Sequence, residues 1–277
     1  MKNYIKLLNF EMNRIAKLLG ILILFIFGIQ MIGTIYLSTD YMNEANEMML
    51  KYGYTADEVT QVIGQFSFVN VIFSVFFTGP IFIAIAFVLF YIFLVWYRDW
   101  FGKNTFAYRL LMLPTERVNI YLSKLTTIFL ITLSFVSMQL ILMPIEMQII
   151  KWIVSEQFRV DLKIAEVFSY SIDTGVLYPP TFFEFALSYG IGIVCVAVIF
   201  TAILFERSYR FKGILFGIVY GIISGIIIIF PEILNEYLLN HYFYTDEIII
   251  LIIISTVIVL ALSIAIAHYL LRNKIRI

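Results

Sequence analysis

"IIILIIISTVIVLALSIAIAHYLL" fills Ile248–Leu271, 24 residues without one Asp, Glu, Lys or Arg. A helix that crosses a hydrocarbon core of about 30 Å needs roughly 20 apolar residues, within a range of about 17–25. In lipid the backbone must satisfy its own hydrogen bonds, and a continuous helix does so. The stretch therefore predicts a membrane-spanning helix.

Five further stretches meet or approach that length: Leu18–Leu37, Phe68–Tyr97, Leu125–Ile150, Phe182–Phe205 and Ile214–Phe230. The second is long enough to tilt, and Gly79-Pro80 is placed to kink it. The fifth is the shortest and is expected to stop at Pro231. Composition agrees with six spans. The chain has 277 residues, 62% hydrophobic and 14% charged, with a mean hydropathy of +0.95. Soluble domains carry about 45–50% apolar and about 25% charged residues. The expected fold class is an all-α integral membrane protein with six transmembrane helices, residues 1–277 forming a single transmembrane domain.

Orientation follows from the distribution of Lys and Arg, which favour the cytoplasmic side. With both termini cytoplasmic, 15 of the 19 basic residues fall inside, in the N-terminal arm, Arg98–Lys124, Glu206–Gly213 and the tail after Leu271. Only Lys51, Lys151, Arg159 and Lys163 fall outside, while 15 acidic residues do. The arm, residues 1–17, puts Tyr4, Ile5, Leu7, Leu8, Met12 and Ile15 on one stripe, with its basic residues largely elsewhere. That pattern predicts an interfacial helix ahead of the first span. The first apolar run lacks a small-residue cleavage site and is expected to stay as an anchor.

The motifs of chemistry are mostly missing. The only Gly-Lys pair is Gly102-Lys103, and the glycine required five positions earlier is Tyr97, so no ATP site of the Walker A kind is expected. His241 and His268 fall on opposite sides of the membrane in this topology, which disfavours a joint metal site or a triad. Gly221–Gly225 reads G-I-I-S-G, one place off a nucleophile elbow. Cys195 is the single cysteine, so no internal disulfide is available. The chain is not expected to be an enzyme, to hold a metal or cofactor, or to bind nucleic acid.

Ionisable residues are nearly absent from the spans. Glu146, 22 residues after Lys124, is expected roughly 33 Å along the helix, near the outer interface. Gln30, Ser134 and Gln139 are candidate path-lining residues, or else partners in hydrogen bonds between helices. Gly213, Gly217, Gly221 and Gly225 recur every four residues, a face along which another helix can pack closely. Residues 231–247, rich in Leu and Tyr, are expected to form an outer segment that re-enters or lies on the membrane surface.

Between the second and third spans lies "FAYRLLMLPTERVNIYLSKL", Phe106–Leu125. Its leucines and Met112 form an apolar patch, Pro114 breaks the turn, and Thr115 followed by Glu116 is a candidate helix start. An apolar patch facing cytosol calls for something to dock on it. This segment resembles the one between the second and third helices of ABC-2 type transporter permeases, in which a leucine-rich turn, a Leu-Pro, a small hydroxyl residue, an Arg and a Ser-Lys occur in that order. The layout of interfacial helix, six spans and cytoplasmic ends is similar too, and implies an ABC-2, type V exporter-like architecture. The longer outer connections Ser38–Ser67 and Lys151–Thr181 depart from compact members.

The resemblance implies a membrane subunit of an ATP-driven exporter in a bacterial plasma membrane. Its partners would be separate ATPase subunits, which hold the ATP and Mg, and a second permease subunit, identical or related. Arg109, Leu110, Leu111, Met112, Leu113, Pro114, Thr115, Glu116 and Arg117 would lie in the coupling region, residues 108–124. Glu206, Arg207 and Arg210 would make a second, smaller cytoplasmic contact. Amphipathic or hydrophobic cargo, membrane-active peptides foremost, suits a path lined by Phe, Ile and Met. An ion-coupled secondary transporter and a non-transporting membrane sensor or assembly protein are the competing expectations.

Overall fold

The computed structural model describes residues 2–101, 106–167, 177–179, 181–238 and 241–275. Its helices are α1 (Lys2–Tyr52), α2 (Ala56–Ile63), α3 (Phe68–Ile72), α4 (Val75–Trp100), α5 (Phe106–Leu111), α6 (Val118–Ile153), α7 (Ile164–Val167), α8 (Phe182–Tyr209), α9 (Phe211–Ile233) and α10 (Thr245–Tyr269). Two short strands, β1 (Phe66–Ser67) and β2 (Arg159–Val160), pair in parallel. Among the described residues, six helices are long and apolar enough to cross a membrane: α1, α4, α6, α8, α9 and α10, the last two with short extensions.

Most of these helices overrun the apolar runs that seed them, but the expected span Phe68–Tyr97 is divided: Phe68–Ile72 forms α3, and the long helix α4 starts only at Val75. The arm expected as a separate interfacial helix is the beginning of α1, which runs unbroken for 51 residues. No proline or glycine interrupts Lys2–Leu19, and Leu7, Glu11, Ile15 and Leu19 repeat every four residues on one buried face. The other end of α1 takes in Ser38–Tyr52, half of the expected outer connection Ser38–Ser67, and stops at Gly53, whose φ of 67° suits a glycine after a helix. Gly53 N–H closes the end on Met49 O at 3.1 Å.

Pro231 does not stop the fifth span. It lies inside α9, and the chain continues through a widened turn, Leu234–Leu238. Asn235 then ties off the turn, accepting His241 N–H on its carbonyl and Phe243 N–H on Oδ1, each at 2.9 Å. The segment expected to re-enter is thus, up to residue 238, an extension of α9; residues 239–240 lie outside the described residues.

The chain forms two compact units, Ile15–Val88 with Ile131–Phe182, and Met1–Arg14 with Leu89–Leu130 and Phe183–Ile277. In the unit containing Ile15–Val88, residues of the two long outer connections enclose a hydrophobic core. Val59, Phe66, Phe68, Phe77, Val154, Phe158 and Val167 are all buried there. Tyr41 Oη donates to Gly64 O at 2.7 Å and lies 3.3 Å from Phe158 O, holding α1 against the strand pair. Glu58 accepts the Thr55 backbone N–H at 2.7 Å, which caps α2 and holds the Glu58 carboxyl below its ordinary range. Gly33 brings α1 against α4: a Cβ there would lie 2.2 Å from Phe76 Cβ.

The other unit is centred on Trp96, Tyr121 and Phe200, whose rings meet at tilted or edge-on angles. Tyr121 Oη donates to Ala197 O at 2.8 Å. Tyr220 and Ser263 share a 2.6 Å hydrogen bond between α9 and α10. The α8–α9 turn is sharp, with Arg210 at φ 55°.

Candidate functional site

The connection from α4 to α6 is built as helix, turn and helix. After α5, Leu113 N–H bonds Leu110 O at 3.3 Å and Thr115 N–H bonds Leu113 O at 2.7 Å, so the chain doubles back around Pro114. The helix expected to start at Thr115 begins at Val118. Thr115 Oγ1 donates to Glu116 O at 3.1 Å and lies 3.4 Å from Asn119 Nδ2, instead of capping a backbone N–H.

The expected apolar docking patch divides in two. Leu110 and Leu111 are buried, lining a small space with Trp96, Trp100, Ile120 and Leu271. Met112 and Leu113 are 66% and 42% exposed, on a tip that includes exposed Pro114 and Glu116. Arg109 is exposed as well. Beside the tip, a groove of about 410 Å³ is lined by Lys6, Leu7 and Phe10 of α1 and by Phe106, Leu113 and Pro114. Arg117 is half-buried and turned inward, donating to Leu271 O at 2.5 Å and Ile275 O at 3.2 Å. It holds carbonyls of the short extension that follows α10, where a cation also meets the negative end of the helix dipole.

Beneath the tip lies a charge cluster that the sequence did not predict. Lys124 Nζ, 1% exposed, contacts Glu11 Oε1 at 2.7 Å, Asp99 Oδ2, and Val95 O at 2.9 Å. Glu11 and Asp99 are each 2% exposed at the side chain. Arg98 reaches Glu11 at 3.1 Å, and Arg14 reaches Asp99 at 2.8 Å. Lys124 also stands 5.3 Å from the Trp96 ring centroid, and Arg14 stands 5.2 Å from both the Phe10 and Phe106 rings. Two carboxylates and three cations thus bind α1, α4 and α6 together at the root of the tip. The signal was present in spacing: Glu11 repeats on the Leu7 face, and Lys124 follows Ile120 by four residues.

The expected second contact is also partly occupied. Tyr97 Oη hydrogen-bonds Glu206, and the Arg207 guanidinium lies 4.7 Å from the Tyr97 ring centroid and 5.8 Å from that of Trp100. Arg210 is exposed. A groove of about 400 Å³ beside them is lined by Trp100, Glu206, Arg207, Arg210, Phe211 and Ile214.

The glycine face does not act as one surface within the chain. A Cβ at Gly213 would lie 2.0 Å from Phe205 O, and one at Gly217 would lie 3.1 Å from Ala202 Cβ. A Cβ at Gly221 or Gly225 would meet nothing within 4 Å among the described residues.

In the unit containing Ile15–Val88, Gln30 Nε2 donates to Gln139 Oε1 at 3.1 Å and lies 3.4 Å from Phe77 O. The two glutamines are buried and bonded to each other, the link between helices that was one of the two expectations for them. Ser134 is half-buried. Glu146 is fully buried within the chain. Comparisons with protein-family models, curated proteins and solved structures find no match to this chain.

Proposed function

We propose that this chain is the membrane subunit of an ATP-driven exporter, coupled through the Met112–Pro114 tip to a separate ATPase. The observation that carries the proposal is the division of the patch: Met112 and Leu113 face outward while Leu110 and Leu111 are packed below them. A tip exposed at its apex and clamped at its base suits the transmission of force. Its base rests on Trp96 and Trp100 of α4, Arg117 grips the end of α10, and Lys124 holds the start of α6. Displacing the tip would move the adjoining ends of three helices together.

In this proposal the tip faces the cytoplasm of a bacterial cell, both termini lie on that side, and the architecture is of the ABC-2 kind. The ATPase binds ATP and Mg, and two permease subunits enclose the path. The preferred cargo is an amphipathic peptide, with lipids and hydrophobic drugs next. Co-purification tests the coupling: a co-expressed ABC ATPase should be retained by the wild-type chain and lost with Met112→Asp/Leu113→Asp. Retention by a folded double variant would overturn the assignment of the tip.

A second reading, an ion-coupled secondary transporter, is favoured by one observation, the buried Glu146. Intramembrane ionisable residues are expensive and serve ion pathways in many transporters. Cargo flux in ATP-free vesicles, driven by a proton or sodium gradient, would select it over the exporter.

A further inference from the structure

Glu146 is 0% exposed, and neither of its carboxylate oxygens has a hydrogen-bond partner among the described residues. Ser38 on α1 is equally buried, and its Oγ is likewise without a partner. Two ties place these residues at a common level. Gln30 bonds Gln139 at 3.1 Å, and Tyr41 reaches Phe158, just beyond the end of α6. From the first tie to the second the chain advances along α1 and, on the other side, up α6 to just past its end, so the two helices run in the same direction here. At 1.5 Å per residue, Ser38 lies about 12 Å beyond Gln30 and Glu146 about 10 Å beyond Gln139. The two orphaned groups therefore stand at similar heights on neighbouring helices.

Among the described residues, the surroundings supply no counter-charge. Between Val75 and Val88, α4 has no ionisable side chain, and neither does α3. On α1, Asp40, Glu44 and Glu47 are exposed and are acids themselves, and the nearest cation along α6, Lys151, is exposed and pairs with Asp161. A bare carboxylate buried in this way would cost several kcal/mol, and proteins avoid that cost with a partner or a proton.

We propose that Glu146, with Ser38, forms a binding site for one small monovalent cation, either a proton on the carboxyl or an alkali ion against it. The site does not depend on the tip or on an ATPase. It would make the Ile15–Val88 unit sensitive to the ions of the compartment it faces.

Thermal unfolding of the purified full-length chain tests this in sodium, potassium and choline chloride across a pH series. Glu146→Gln, which keeps the shape without the charge, is the control. The wild type should gain about 3 °C or more in Tm from acid or from an alkali ion, and the variant should gain neither. A response to sodium or potassium over choline identifies an alkali ion, and a response to pH alone identifies a proton. Equal responses in wild type and variant would overturn the proposal.

Should the variant not fold, the wild type can be treated with dicyclohexylcarbodiimide, whose C=N bond adds a carboxyl O–H before rearrangement to a stable N-acylurea. Mass spectrometry should find the adduct on Glu146, suppressed by alkali ion or by high pH. An unmodified Glu146, or one labelled equally under all conditions, would count against the site.

Discussion

Lys124 lies 2.7 Å from Glu11, both almost fully enclosed, although 112 residues separate them in the chain. The contact fastens the beginning of α1 to the beginning of α6. A buried pair of this kind contributes little when compared with an apolar replacement, but removing one partner strands the other.

Lys124→Met should therefore destabilise the protein by about 3–5 kcal/mol, because Glu11 and Asp99 lose the cation between them. Denaturant or thermal unfolding in detergent measures this. Adding Glu11→Gln to the same chain should recover part of the loss. A Lys124→Met variant as stable as the wild type would show that the cluster is not closed in the folded protein.

The tip and its base should separate in mutagenesis. Met112→Asp and Leu113→Asp should leave stability within about 0.5 kcal/mol of wild type, since both positions are exposed. Leu110→Asp puts a carboxylate among Trp96, Trp100 and Ile120 and should cost about 3 kcal/mol or more. Unfolding midpoints for the three variants check the contrast without any knowledge of the ATPase.

Arg117→Met should free the end of α10. The carbonyls of Leu271 and Ile275 lose a charged donor, at a cost of about 1–3 kcal/mol. Hydrogen exchange should rise over residues 268–275 and stay unchanged in α2. Arg117→Lys should restore protection only in part, because one ammonium cannot reproduce the fork of a guanidinium.

Gly33→Ala should be harmful where Gly28→Ala is not. A Cβ at Gly33 overlaps the Phe76 side chain, whereas one at Gly28 meets nothing within 4 Å among the described residues. Overpacking of this kind costs about 1–3 kcal/mol. A thermal scan of the two variants side by side reads the difference.

The six long helices were legible because hydropathy over some twenty residues is a strong signal, and Ile248–Leu271 alone carries it. Their ends were not. The continuation of α1 through Ser38–Tyr52 depends on Tyr41, Ala45 and Met48 meeting the core around Phe158, a contact distant in sequence. The cluster at Lys124 was hidden for another reason. Counting Lys and Arg to orient a chain treats each as a solvated charge, yet Arg14, Arg98 and Lys124 are paired with carboxylates. Leu110 and Leu111 were legible as apolar but not as buried, since pattern alone does not tell a docking surface from a packed one. Gln30 and Gln139 were legible as polar residues within the spans, but not as partners of one another.

The α8–α9 hairpin has a consequence for heredity. Every single-base change that alters a glycine codon adds a side chain or stops translation, and at Gly213 the first carbon of any side chain would collide with the Phe205 carbonyl. Descendant lineages should therefore purge changes at Gly213 and let neutral drift accumulate at Gly221 and Gly225, wherever those two positions face nothing but lipid.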